Sequence, residues 1–158
     1  MTKPLIYVET TVISYYTSRP SRDVVVAGHQ AVTNEWWERV LPSFTPMISA
    51  VVLDEIGDGD ADAATKRLAV VTGWEVVELT EEAGTLAEEY FRAIELPEAA
   101  RADSLHLALA TWHGLDYLVT WNCRHIAGAR VRQVTQAINE RHGLATPSIC
   151  TPEELMEI

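Results

Sequence analysis

The chain has 158 residues, 12 basic against 23 acidic, and a formal net charge of −11. That length suits one compact domain, and so acidic a chain is a poor nonspecific binder of nucleic acid, whose phosphates need Lys and Arg. A hydrophobic share of 47% without an apolar run of the roughly eighteen residues needed to cross a bilayer excludes a membrane-spanning helix.

The start, MTKPLIYVE, carries a single Lys and passes straight into a strand pattern, so no secretory signal is expected. Leu5 to Val8 is a short apolar strand, closed by Glu9 and by Thr10 and Thr11, whose hydroxyls suit the cap of a following helix. Arg22 to Leu41 has helical spacing and stops at Pro42. Pro46 to Val52 reads as a second buried strand leading into a helix that holds Glu55, which Gly57 and Gly59 interrupt. A helical pattern resumes from Ala61 to Val71, with Gly73 as its stop. Glu75 to Leu79 is a third strand. Thr80 with Glu81 and Glu82 starts a helix reaching about Ile94, and Pro97 opens another that runs to His113 before Gly114. Tyr117 to Thr120 is a fourth strand, Val131 to Arg141 a helix and Ser148 to Cys150 a short fifth strand. Thr151 to Glu154 caps a last helical turn.

Strands separated by helices imply right-handed crossovers and a mostly parallel sheet covered on both faces, in a single domain over 1–158. In such a sheet, ligands bind beyond the carboxyl ends of the strands. Glu9 ends the first strand, Glu55 lies in the first turn after the second, and Asn122 follows the fourth. Asp103 starts the helix that precedes the fourth strand and runs antiparallel to it, so it reaches the same edge. Four oxygen-bearing side chains thus share one rim. Clustered carboxylates repel unless a cation compensates, and Glu9, Glu55 and Asp103 offer an oxygen set suited to Mg²⁺ or Mn²⁺. Such an ion lowers the pKa of a bound water and neutralises charge on a scissile phosphate.

Tyr7 to Ser14 (YVETTVIS), the Glu55-Ile56 pair, Asp103 to Ala108 (DSLHLA) and Leu118 to Asn122 (LVTWN) resemble the PIN-domain ribonucleases, above all the VapC-type toxins of type II toxin–antitoxin pairs. The resemblance covers nearly the whole chain in the right order. It implies a three-layer α/β/α domain with a central, mostly parallel sheet of four to five strands. It further implies a cytoplasmic, dimeric endoribonuclease that uses Mg²⁺ or Mn²⁺ on RNA, and a small antitoxin whose tail plugs the acidic groove. Glu9, Glu55, Asp103 and Asn122 fall at the catalytic positions. Two departures stand out: the first acid is usually Asp and here is Glu9, and the fourth position often holds Asp and here holds Asn122. A second function class follows from them, a PIN-fold binding module with weak or no catalysis.

Other residues carry plainer readings beside functional ones. Thr10 and Thr11 suit either a helix cap or contact with the site, and Trp121 either a buried core position or a base stack. His106, among Leu105, Leu107 and Leu109, reads as a satisfied core group more readily than a catalytic one. Four arginines against Glu140 alone lie between Arg124 and Arg141, a local formal charge of +3. Of these, Arg124, Arg130 and Arg132 could reach phosphates or be merely solvated. Asp58 to Asp62 fails as a calcium loop, because Ala63 stands at its required glycine and Ala69 at its final acid. Cys123 and Cys150, without metal or redox spacing, are expected as reduced thiols.

Overall fold

A computed structural model describes residues 2–157. Its sheet has five strands, all parallel, in the order β3-β2-β1-β4-β5: β1 (Leu5–Val8), β2 (Thr45–Ser49), β3 (Glu75–Val77), β4 (Tyr117–Val119) and β5 (Ser148–Cys150). β1 is central, and Ile6, Tyr7 and Val8 are fully buried. An unbroken apolar run is what a parallel strand with both faces covered requires. Helices α1 (Thr10–Thr17), α2 (Val24–Arg39), α3 (Ala50–Ile56) and α4 (Ala61–Val70) pack among themselves, as do α5 (Glu81–Ile94), α6 (Arg101–Trp112) and α7 (Ala129–Arg141). The result is the expected three-layer α/β/α arrangement.

Register decides what meets at the sheet's carboxyl edge. Tyr7 lies opposite Met47, and Val8 opposite Val119. One step further puts Glu9 level with Ser49 and Thr120, and the Glu9 amide donates to the Val119 carbonyl at 3.1 Å. One carboxylate and two hydroxyls, at the ends of three neighbouring strands, therefore lie on one line.

Several elements differ from the sequence reading. The helix that follows β1 is α1, although TTVISYYT is rich in poor helix formers. It forms because Glu9 caps it and Val12 and Ile13 bury completely. The cap is therefore Glu9, not Thr10 or Thr11. β2 stops at Ser49 rather than Val52, because the Ser49 hydroxyl accepts the Val52 amide and starts α3. Asp23 caps α2, and a single 3₁₀ turn at Glu98–Ala100 precedes α6. Val131 lies one turn inside α7, which starts at Ala129. After β5, Thr151 and Glu154 cap each other, and i→i+3 bonds from Leu155 to Pro152 and from Met156 to Glu153 close short turns behind that cap. Thr80 caps α5 as expected, and Gly73 and Gly114 take the left-handed φ of +83° and +68° that a helix stop requires. Both cysteines are free, Cys123 exposed and Cys150 buried.

Candidate functional site

Glu9 is the N-cap of α1 and only 3% exposed. Its Oε2 accepts the Thr11 amide at 3.1 Å. Its Oε1 accepts two hydroxyls, from Thr11 at 2.6 Å and Thr120 at 2.5 Å. A buried carboxylate tolerates desolvation only with such donors around it. One acceptor position remains open on Oε2.

Glu55 stands on α3, facing the start of α1. Its Oε1 accepts the Thr10 hydroxyl at 2.7 Å and the His106 Nε2 at 2.6 Å. His106, from α6, is fully buried, and its Nδ1 lies 2.6 Å from the Tyr7 hydroxyl, which lies 2.8 Å from the Ser49 hydroxyl. Burial disfavours a charged His106, but the Glu55 hydrogen bond and the charges of Glu9, Glu55 and Asp103 outweigh it and raise its pKa. Burial pushes Glu55 up, yet the His106 hydrogen bond and charge and the Thr10 hydroxyl bring its carboxyl below the usual range. His106 thus faces Glu55 with its Nε2 and the Tyr7 hydroxyl with its Nδ1, and the Tyr7 hydroxyl shares a hydrogen bond with Ser49. Burial raises the Tyr7 phenol, so it stays protonated.

Asp103, in the first turn of α6, meets a different partner. Its Oδ2 lies 3.1 Å from Nδ1 of His125, which sits in the loop after β4. Burial raises the Asp103 carboxyl above the ordinary value, only partly offset by the charge of His106, the Asn122 side chain and His125. Asn122 builds that loop. Its Oδ1 accepts the His125 amide at 2.9 Å, and its carbonyl accepts the Ile126 and Ala127 amides.

The structure thus draws Glu9, Glu55 and His106 together, while Asp103 and Asn122 meet each other at His125, outside that group. Ligand atoms of Glu9, Glu55 and His106 all lie within 4.8 Å of one another. Sequence reading passed over His125 and ranked His106 as core. The signal for His106 was its place one turn after Asp103; for His125 there was only its position three residues after Asn122. Thr10 and Thr11 do contact the site carboxylates, through Glu55 and Glu9. Trp121 is half-buried; its amide donates to the Thr11 hydroxyl at 2.9 Å. Arg124 is exposed, whereas Arg130 holds the Ile94 carbonyl and Arg132 that of Ile149. Arg130, Arg132 and Arg141 also face Glu95, Glu154 and Glu89. The segment's +3 is consequently neutralised by acids from other elements.

The donor set fits a hard divalent cation. Carboxylate oxygens from Glu9 and Glu55 converge with acceptor capacity left on each Oε2, whereas the Asp103 carboxylate, held by His125, lies outside that group. Both nitrogens of His106 are engaged, so it orients Glu55 rather than offering a ligand of its own.

No protein family description matches the chain, and no curated protein sequence does. Solved structures do match. The chain resembles VapBC2 from Rickettsia felis, solved bound to a DNA fragment from its promoter, at 14% identity and a TM-score of 0.58, over 93% of this chain and 98% of that one. It also resembles VapC20 of Mycobacterium tuberculosis, a sarcin–ricin-loop-cleaving toxin, at 18% identity and a TM-score of 0.60, over 78% of this chain and 95% of that one. At such identities the likeness is one of architecture: the chain has the PIN-like α/β/α fold that these VapC-type structures share.

Proposed function

We propose that this protein is a metal-dependent endoribonuclease, the toxin of a toxin–antitoxin pair, hydrolysing RNA phosphodiesters at the rim formed by Glu9, Glu55, Asp103 and Asn122. The observation that carries the reading is the convergence of Glu9 and Glu55, each held by hydroxyl donors yet each with an Oε2 open. Glu9, Glu55 and Asp103 would hold Mg²⁺ or Mn²⁺, which when bound supplies an acidified water and charge neutralisation at a phosphate. His106 keeps Glu55 ionised and fixed, His125 orients Asp103, and Asn122 holds the loop. Thr10, Thr11, Trp121 and Arg124 border the substrate. VapC20 is a toxin, and the carboxylates of an acidic chain suit a basic antitoxin segment as partner, with an arginine set among them. On this reading the protein is a single PIN-like domain over 1–158, a cytoplasmic homodimer. Among the described residues no helix is long and apolar enough to cross a membrane.

The test is RNA cleavage with Mg²⁺ or Mn²⁺ by wild type, Glu55→Gln and Asp103→Asn, each checked for folding by circular dichroism. Chelation should abolish cleavage, and each variant should lose roughly a hundredfold or more. Cleavage indifferent to chelation and to both substitutions would sink the proposal. A second reading, a binding module without cleavage, draws on Asn122, whose Oδ1 is already engaged by the His125 amide. RNA binding by wild type with no cleavage under any divalent ion would favour it.

A further inference from the structure

We propose that the solvent-facing stripe of α1 is a track for single-stranded RNA, with a nucleobase platform at Tyr15, His29 and Trp121 on one flank and a phosphate cleft at Arg19 and Lys66 on the other. The inference rests on the ribonuclease reading and says how a strand would lie beside the acidic rim. Val12 and Ile13 turn α1 inward, which leaves Thr11, Ser14, Tyr15 and Ser18 on its outer side, half-buried or exposed.

The platform is aromatic, partly open and rigid. The His29 and Trp121 rings stack 4.1 Å apart at 11°, and Tyr15 lies 6.3 Å from each, tilted by 26° and 29°. None of the three is buried, unlike the fully enclosed Trp36. The Trp121 indole donates to the Thr33 hydroxyl at 2.7 Å. Its amide donates to Thr11, whose hydroxyl donates in turn to Glu9. The Trp121 backbone is therefore joined to a site carboxylate through one threonine. Stacked rings beside a charged site offer π-faces to any unpaired base, and in a duplex those faces are already occupied.

The opposite flank is a cleft of about 430 Å³ between the end of α1 and the start of α4, lined on the α1 side by Ser14, Thr17 and Ser18. Arg19, Lys66 and Arg67 line it against Asp60 and Asp62, three cations to two acids, a formal +1 on a chain of −11. Arg67 is engaged by the Ile56 and Asp58 carbonyls, and Asp60 by the Ala63 amide. Arg19 and Lys66 form no ion pair among the described residues. Unpaired cations with hydroxyls around them favour an anionic strand over a basic protein segment. The eight residues of α1 span roughly 12 Å, a reach suited to a short strand leaving the rim.

The decisive measurement is fluorescence anisotropy of a short labelled single-stranded oligoribonucleotide in EDTA, where binding is read without cleavage. Tyr15→Leu and His29→Ala should each weaken binding about tenfold or more. Lys66→Ala should reduce the slope of log K against log salt by about 0.7, the loss of one phosphate contact. Trp112→Ala, at an exposed ring on α6, should bind as wild type does. Wild-type affinity in both Tyr15→Leu and Lys66→Ala would overturn the track, as would equal binding of double-stranded RNA. Loss of a protein partner in Tyr15→Leu with RNA binding intact would give the stripe to a protein and likewise overturn it. Failure of the ribonuclease reading is read separately, from wild-type cleavage and its dependence on Glu55: cleavage with unaffected stripe variants removes only the track.

Discussion

Glu9 carries one methylene more than the Asp its position leads one to expect, and the structure is built around that extra reach. The side chain folds back over its own helix start to take the Thr11 amide and hydroxyl while also meeting Thr120 from β4. A shorter arm at the same Cα cannot reach both Thr11 on α1 and Thr120 beyond β4. Glu9→Asp should therefore lower Mn²⁺ affinity and cleavage, by roughly tenfold to a hundredfold for a displacement near 1 Å. Manganese titration followed by paramagnetic relaxation reads the first effect without any turnover. A rise in affinity would mean that the hydroxyl donors follow the carboxylate inward. His106 teaches the complementary lesson. Flanked by leucines, it reads as core, and it is indeed fully buried, but the group that satisfies it is Glu55. Burial and function coincide here, because an imidazole inside a protein needs hydrogen-bond partners for both nitrogens, and one of these is Glu55.

At the scale of elements, the loop after β4 matters most. Residues 122–128 wrap around the Asn122 carbonyl and end at Gly128, the cap of α7. The φ of Gly128, −64°, suits any residue, yet an added Cβ would meet the Cys123 carbonyl oxygen at 2.6 Å. Gly128→Ala must push the loop open and should cost roughly 1–3 kcal/mol in chemical denaturation, with His125 drawn away from Asp103. Gly84→Ala is the contrast: nothing lies within 4 Å of its Cβ position inside α5. Helix propensity then predicts a gain of roughly 0.5–1 kcal/mol.

A second element-level prediction concerns the α5–α6 junction. Arg101 bonds Glu98 at 2.8 Å and Glu88 at 2.5 Å, and lies over the Phe91 ring at 3.9 Å. The Arg101 hydrogen bonds hold both glutamates below their usual range. A depressed carboxylate stabilises the fold above its unfolded pKa, and that contribution disappears as pH falls through the folded value. The Tm difference between wild type and Arg101→Ala should therefore be largest near neutrality and shrink toward pH 3. A residual difference should persist from the Phe91 contact, which does not titrate. A gap that widens on acidification would refute the assignment.

For the whole molecule, charge organises the expectations. A net −11 concentrated partly at one rim should make the fold respond to a cation that relieves it. Mn²⁺ at a hundred times its Kd should raise stability by about 2.7 kcal/mol, visible as a Tm increase in wild type and much reduced in Glu55→Gln. An equal increase in both proteins would point to nonspecific screening.

Much of this was legible in the chain itself. Apolar runs at Leu5–Val8 and Tyr117–Val119, stops at Gly73 and Gly114, and helical spacing between them determined a parallel α/β sheet with Glu9, Glu55, Asp103 and Asn122 at one edge. Those signals are local and periodic, and each residue carries its own. Tertiary structure alone decided the rest. TTVISYYT is a helix because Glu9 caps it and the core takes Val12 and Ile13, against its own propensity. Arg130, Arg132 and Arg141 of α7 are paired with glutamates on other elements. The Tyr7–His106–Glu55 chain joins β1, α6 and α3, and the Asp103–His125 pair joins α6 to the β4 loop. Hydrogen bonds between residues 22 to 99 positions apart have no period along the sequence. They exist only once the crossovers have brought the strand ends together.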